Sequence, residues 1–262
     1  MVKSNCLANS VLVLCLVLIV FFPGHKSIAQ PKENQNCITI FMIGNSTMAD
    51  KPFKDGNPEK GWGQVFPLYF KQGIQIENYA VNGRSTKSFI DEGRWDSVFS
   101  RIKPGDYVII EFGHNDAKKE DPKRFADANT DYKWNLERFI TETKSRGGIP
   151  ILATPIVRRR FDENGNFYDV HGDYPKVVRE LSEKMNVLLL DLHKKSEDYI
   201  IKLGEERSKE FYLHIDADEY NSLPNGKTDD THLSPTGAFR ICDFAADEIK
   251  LKIPELAKYL KE

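Results

Sequence analysis

Five short apolar runs, each followed by a stretch of helical length, constrain this chain more than any other feature. They occupy residues 38–44, 74–81, 107–112, 149–154 and 187–191. Each has the length of a strand and is rich in Ile, Val, Leu, Phe or Tyr. The run Tyr107-Val108-Ile109-Ile110-Glu111-Phe112 is nearly continuous rather than alternating, as expected of a strand covered on both faces. Helical spacing predicts helices over 63–72, 88–100, 131–146, 173–185, 192–206 and 234–252, with a short helix in the tail. Trp134, Phe139 and Ile140 are expected on the apolar face of the helix at 131–146, and Pro235 suits the first turn of the helix that it opens. The polar segments 51–60, 118–130, 155–174 and 211–228 read as loops. Strand alternating with helix predicts an α/β fold, a parallel sheet with helices on both faces. No internal repeat, low-complexity segment or linker interrupts it.

Composition adds bounds. The 262 residues are 40% hydrophobic and 29% charged, with a formal net charge of -2. That suits one large globular domain and carries no electrostatic footprint for nucleic acid. The first residues follow a different logic. Lys3, the apolar run 11–22 and the small-residue site Ser27-Ile28-Ala29 have the layout of a secretory signal peptide. The run is short for a membrane-spanning helix. The expectation is a removed signal at 1–29, an exported domain at 30–262 (periplasmic or extracellular) and no stable membrane insertion. Cys37 and Cys242 would remain after removal. An exported protein could bridge them, and two small buried residues is the plainer expectation.

In open parallel sheets, ligands bind outside the carboxyl ends of the strands. Three such ends carry notable residues. The first run leads through Gly44 and Asn45 to Ser46, the second to Asn82-Gly83, and the third to His114-Asn115-Asp116. Ser46 alone could be an ordinary turn serine capping a helix. Asn82-Gly83 could open a hairpin, but no second alternating run follows, so a turn exposing the Gly83 N–H fits as well. The fourth piece is Asp229-Asp230-Thr231-His232, just before the last helix. An Asp three residues ahead of a His can hold one ring nitrogen and leave the other facing outward, which fixes the tautomer that a general base needs. A serine hydroxyl needs such a base, and acyl transfer also needs donors aimed at a developing oxyanion. The N–H groups of Ser46 and Gly83 and the Asn115 side chain could supply them. A helix-cap Asp with a surface His, or a metal site shared with His114 and Asp116, are the competing readings. Tight ligand spacing is lacking for the second.

Four blocks together resemble the SGNH (GDSL-like) hydrolases: Gly44-Asn45-Ser46-Thr47-Met48, the stretch 78–85, Gly113-His114-Asn115-Asp116, and Asp229-Asp230-Thr231-His232. Asn82-Gly83-Arg84-Ser85 and the stretch 229–238 are similar to the rhamnogalacturonan acetylesterase-like subgroup, carbohydrate esterase family 12. The resemblance spans nearly the whole chain after the signal. It implies a three-layer α/β/α sandwich whose five parallel strands run in the flavodoxin-like order 2-1-3-4-5. It implies Ser46 as nucleophile, His232 as base and Asp229 as its orienter, with Ser46, Gly83 and Asn115 forming the oxyanion hole. It implies neither metal nor cofactor. Two positions depart from the family pattern. Asn45 stands where Asp is usual, keeping the size and the accepting oxygen, and His114 replaces a commoner Gln. No Gly-x-Ser-x-Gly elbow is present.

The implied activity is deacetylation of an acidic cell-wall polysaccharide such as pectin. Arg84, Lys87 and Arg158-Arg159-Arg160 are either a solvated charge run or a cationic rim for that substrate, since arginine pairs carboxylates bidentately. Arg84, His114, Arg158 and Arg159 are thus candidate substrate contacts. Trp62, Trp95, Trp134 and Phe161 could stack on sugar or belong to the core. His171, His193 and His214 read as surface or loop residues. The sequon Asn45-Ser46-Thr47 lies in the nucleophile turn, where a chance match is expected. The alternatives are an esterase for another acyl group, such as a lipid or thioester, and a non-catalytic polysaccharide-binding protein.

Overall fold

Alternate residues of the first strand point into two different cores. In the computed structural model, which describes residues 38–262, β1 is Ile38–Gly44. Ile40 and Met42 enter one apolar cluster while Phe41 and Ile43 enter another, the two-residue period of a strand buried on both faces. Burying a large apolar side chain contributes about 1.5–3 kcal/mol, so a slip of one residue in register would exchange two full layers of contacts.

The chain continues through α1 (Trp62–Val65), β2 (Ile74–Asn78), α2 (Thr86–Asp91), α3 (Arg94–Phe99), β3 (Tyr107–Glu111), α4 (Asp131–Ser145) and β4 (Ile149–Ala153). It then forms α5 (Tyr174–Met185), β5 (Leu188–Leu190), α6 (Leu192–Arg207), β6 (Tyr212–Ile215), β7 (Lys227–Leu233), α7 (Pro235–Lys252) and α8 (Pro254–Ala257). The sheet order is β2-β1-β3-β4-β5, all parallel, as the family resemblance implied. Gly44 pairs with Glu111, and Glu111 with Ala153, so the central strands end level and their loops leave one edge together.

Several expectations need correction. The helix expected at 63–72 is α1 followed by a 3-10 turn, Phe66–Tyr69, with Pro67 in its first turn where the missing N–H does no harm. The helix expected at 88–100 begins earlier and is two helices. Ser85 and Ser88 form a capping box at the start of α2, and Gly93, at φ +67°, breaks the path before α3. The segment read as a polar loop at 211–228 contributes to an antiparallel hairpin, β6 with β7. Trp134 is 61% exposed on α4, whereas Phe139 and Ile140 are buried as expected. Trp62 and Trp95 are fully buried and cannot stack on a sugar. Cys242 is buried beside the Trp62 carbonyl oxygen, and Cys37 lies outside the described residues, as does the expected signal at 1–29. No helix among the described residues is long and apolar enough to cross a membrane.

Candidate active site

The turn after β1 is built by Asn45. Its Oδ1 accepts from the Thr47 N–H (3.0 Å) and the Thr47 hydroxyl (2.9 Å), while its carbonyl oxygen accepts from Met48 and Ala49. This is the role expected of the family Asp, performed by the oxygen that Asn retains. Ser46 is held between, 9% exposed, and its own N–H has no hydrogen-bond partner among the described residues. Beneath the turn lies Glu111, the one carboxylate in an otherwise apolar strand. Trp62 Nε1 donates to its Oε2 (2.6 Å), and the Thr47 hydroxyl stands 3.0 Å from its Oε1. Burial pushes this carboxyl up to about 7 against the hydrogen bonds from Trp62, Thr47 and the Ile156 backbone. Thr47 has one hydroxyl proton and two oxygens within reach. Below about pH 7, where Glu111 is neutral, its proton goes to Thr47 Oγ1, which then donates to Asn45 Oδ1; above it, the carboxylate accepts from Thr47 instead.

His232 reaches Ser46 from β7. Its Nε2 is 2.9 Å from Ser46 Oγ, across 186 positions of sequence, and its Nδ1 is 2.8 Å from Asp229 Oδ2. The other Asp229 oxygen accepts from the Thr231 and His232 N–H groups, each at 2.9 Å. Burial pushes the Asp229 carboxyl up, but the His232 ring and these backbone donors outweigh it and hold the group well below the usual carboxylate range. Lys227 adds an ion pair to Oδ2 at 3.2 Å. A carboxylate, an imidazole and a hydroxyl thus stand in line, the arrangement that general-base activation of an alcohol requires.

The donors come from two neighbouring loops. Asn82-Gly83 forms a reverse turn closed by Arg84 N–H to Val81 O (3.3 Å), not a hairpin. Gly83 adopts φ +75°, which L side chains rarely tolerate, and its N–H has no hydrogen-bond partner among the described residues. Asn115 donates from Nδ2 to the Arg84 carbonyl (3.1 Å), and Arg124 approaches Oδ1 at 3.4 Å. These contacts fix the amide orientation and leave one Nδ2 proton free. Asp116 ties the loops together: its Oδ2 accepts from Gly113 N–H (3.1 Å) and its Oδ1 from Thr86 N–H (2.8 Å) and the Thr86 hydroxyl (2.5 Å). Burial raises the Asp116 carboxyl to about 7, with those hydrogen bonds opposing. Ser46, Gly83, Asn115 and His232 line one cleft of about 390 Å³.

The expected cationic rim divides. Arg158 lines the cleft beside His114. Arg159 does not reach it: buried, it bonds the Glu205 carbonyl (2.8 Å), Ser208 (3.1 Å) and Asp230 (3.1 Å), so it is a structural clamp between loop and hairpin. Arg84 turns to Glu92 (3.0 Å) and contributes to the site through its backbone. His114 lines the cleft and is buried; burial, then His171 and Arg158, pull its ring well below the ordinary range, so it is neutral. Sequence reasoning missed Glu59, Lys118 and Arg124 in the cleft wall, and Lys51, which joins Glu59 (2.8 Å) to Asn82 (2.6 Å). Only Glu111 carried a signal, a lone acid in an apolar run.

His171 lies in a loop as expected but is buried there, His193 is buried in α6 rather than on the surface or in a loop, and His214 is bound to Asp230 at 2.8 Å. Asp169, His171 and His193 place three metal-capable atoms within 4.8 Å of one another. Their ring protons are already directed. Asp169 Oδ1 takes His171 Nδ1 at 2.7 Å, and His193 Nε2 stands 3.2 Å from the same oxygen without a hydrogen bond of its own. Arg179 Nη2, a donor, faces His193 Nδ1 at 3.4 Å and so keeps that ring's proton on Nε2, where a metal would have to bind. The alternative set of Asp229, His232, His114 and Asp116 is not a cluster, since Asp116 is spent on the loop tie.

The model of the GDSL-like Lipase/Acylhydrolase family matches residues 42–238, which contain every residue of the catalytic geometry described above. The chain belongs to this family. It is a carboxylic ester hydrolase of the SGNH, rhamnogalacturonan acetylesterase-like group. It is 35% identical over 213 residues to the rhamnogalacturonan acetylesterase RhgT of Bacillus subtilis (strain 168), covering 81% of this chain and 90% of that one. It is 32% identical to the probable rhamnogalacturonan acetylesterase YesY of the same organism, covering 85% of this chain and 98% of that one. The crystal structure of B. subtilis YxiM superposes with a TM-score of 0.69 at 26% identity; the match covers 82% of this chain and 56% of YxiM. Axe2, an acetylxylan esterase from Geobacillus stearothermophilus, shares the fold, with a TM-score of 0.56 at 20% identity over 81% of this chain and 94% of its own.

Proposed function

We propose that this protein is an exported serine esterase that removes O-acetyl groups from acidic cell-wall polysaccharide, rhamnogalacturonan first. Ser46 Oγ attacks the acetyl carbonyl carbon as His232 Nε2 takes its proton, with Asp229 holding the ring. The oxyanion settles against the N–H groups of Ser46 and Gly83 and the Asn115 amide. The C–O bond to the sugar breaks, and His232 returns its proton to the sugar oxygen. Water, deprotonated by His232, then attacks the acetyl-serine carbonyl; the C–Oγ bond breaks, His232 returns the proton to Ser46 Oγ, and acetate leaves. The observation that carries this reading is the 2.9 Å approach of Ser46 Oγ to His232 Nε2. Support for the substrate comes from the relatives named rhamnogalacturonan acetylesterase. Support for a short acyl group comes from the polar lining of the cleft, and support for export from the layout of residues 1–29.

The test is acetate release from acetylated rhamnogalacturonan by the wild type and by Ser46→Ala. The variant should lose about a thousandfold or more in kcat. Equal rates would remove Ser46 from the mechanism. A preference for long acyl chains in a series of nitrophenyl esters would replace the acetyl reading with a lipase-like one.

A further inference from the structure

A second cavity, of about 360 Å³, adjoins the cleft, and three residues line both: His114, Lys118 and Arg158. Two of the three are cations. Other cations near the site are neutralised: Arg84 by Glu92, Arg124 by Asp121, Arg160 by Asp230, Lys51 by Glu59. Among the described residues, neither Lys118 nor Arg158 has a carboxylate within 4 Å. Glu120 also lines the second cavity, beyond ion-pair range of both. Burial lowers Arg158, with Arg160 adding to it and Asp229 opposing at longer range, and burial lowers Lys118, with Arg124 and Arg158 adding to it and Glu120 and Asp121 opposing. Half-buried positive charge with no carboxylate in ion-pair contact is costly unless an anion arrives to pair it.

The geometry of Arg158 says what kind of anion fits. Its Nε and Nη2 grip His114, at the ring Nδ1 (3.4 Å) and the carbonyl oxygen (3.1 Å). Among the described residues Nη1 has no partner, so the Nη1–Nη2 edge of the guanidinium stays open. That edge presents two parallel N–H groups, the match for a carboxylate. We infer that Arg158 and Lys118 form a carboxylate subsite that seats a uronic acid of the polysaccharide while the acetyl ester stands at Ser46. The assignment rests on the proposed polysaccharide esterase reading.

The test compares kcat/KM for acetate release from acetylated galacturonate oligosaccharides and from the same oligosaccharides with the carboxyls reduced to alcohols. The wild type should favour the acidic form. Arg158→Gln and Lys118→Gln should each cut that preference by about tenfold or more. Lys118 holds no part of the site in place, so its variant separates lost charge from a displaced His114. No preference in the wild type, or one that both variants keep, overturns the subsite. Acetate release from neither substrate would defeat the esterase reading instead. Calorimetric titration with unacetylated galacturonate oligomer then decides the subsite alone: binding about tenfold tighter than the reduced oligomer sustains it, and equal binding overturns it. Tighter binding of a sulfated galactose oligomer would overturn the carboxylate assignment.

Discussion

Replacing Glu111 with Gln should make the protein more stable at neutral pH, although the change removes a buried, fully hydrogen-bonded side chain. Burial raises the Glu111 carboxyl from 4.5 to about 7 in the folded state. The folded state therefore keeps a proton that the unfolded chain has released between these values. Stability from this group is fully present below about pH 4.5 and falls as pH rises to about 7. At about 1.4 kcal/mol per unit, the loss is about 3 kcal/mol. Gln has the shape of the neutral acid. Its oxygen can accept from Trp62 Nε1, where Oε2 now sits at 2.6 Å, and its NH₂ can donate to Thr47 Oγ1, where Oε1 sits at 3.0 Å. The Thr47-to-Asn45 bond survives, and with it the Ser46 turn. Urea unfolding of both proteins at about pH 4.5 and pH 8 measures the difference. The two should be close at the acid end, and the variant ahead by about 3 kcal/mol at the alkaline end. Asp116, with the same sign of shift, is present in both proteins and cancels in the comparison. Parallel stability curves would show that Glu111 is ionised in the folded protein and refute the proton chain to Asn45.

Three further outcomes test the site and its corrections. Asp229→Asn would leave a carboxamide facing His232 Nδ1 and free the ring to hold the wrong tautomer; kcat for ester hydrolysis should fall by roughly three to four orders of magnitude with the fold intact by circular dichroism. Asn115→Ala removes one oxyanion donor and should cost about 10²–10³ in kcat with little change in KM, a split readable from steady-state kinetics. Arg159→Met breaks a buried clamp on Asp230 and should lower unfolding stability by about 3 kcal/mol; a change in KM for acidic polysaccharide without a stability loss would return Arg159 to the substrate rim.

The sheet was legible because its rule is local. Apolar runs of strand length, each ended by Gly or a polar loop, specify five buried strands, and the family blocks supplied their order. The parts that stayed hidden depend on partners far away in sequence. Segment 211–228 carries little apolar alternation because the buried residues of β6, Tyr212 and Leu213, are adjacent rather than alternating, and β7 stays polar until Leu233, which is buried opposite Tyr212. Charge pairing was equally hidden. Nothing within Arg158-Arg159-Arg160 distinguishes a cation spent on Asp230 from one left open to the cleft, because Asp230 lies about seventy positions later and arrives through the hairpin. Trp134 misled for a different reason: it lies on the same helix as Phe139 and Ile140, but on the outer side, where a large apolar side chain can remain exposed.

The same distances explain why the site is so heavily tied. Ser46, Gly83, Asn115 and His232 come from four loops or strands that share no local sequence, so chain continuity cannot hold them at hydrogen-bond range. Each junction carries its own bond instead. Asp116 joins the Asn115 loop to the start of α2, Lys51 joins the nucleophile segment to Asn82, and Asp230 joins the Arg158 loop to β7. Preorganisation of this kind places donors and base before the ester arrives, which is where most electrostatic catalysis is gained. The cost is a set of charged and polar side chains buried under the cleft. Two of them, Glu111 and Asp116, bear that cost as carboxyls whose proton release is delayed to about pH 7, so the features that position the nucleophile also make the fold weaken with rising pH.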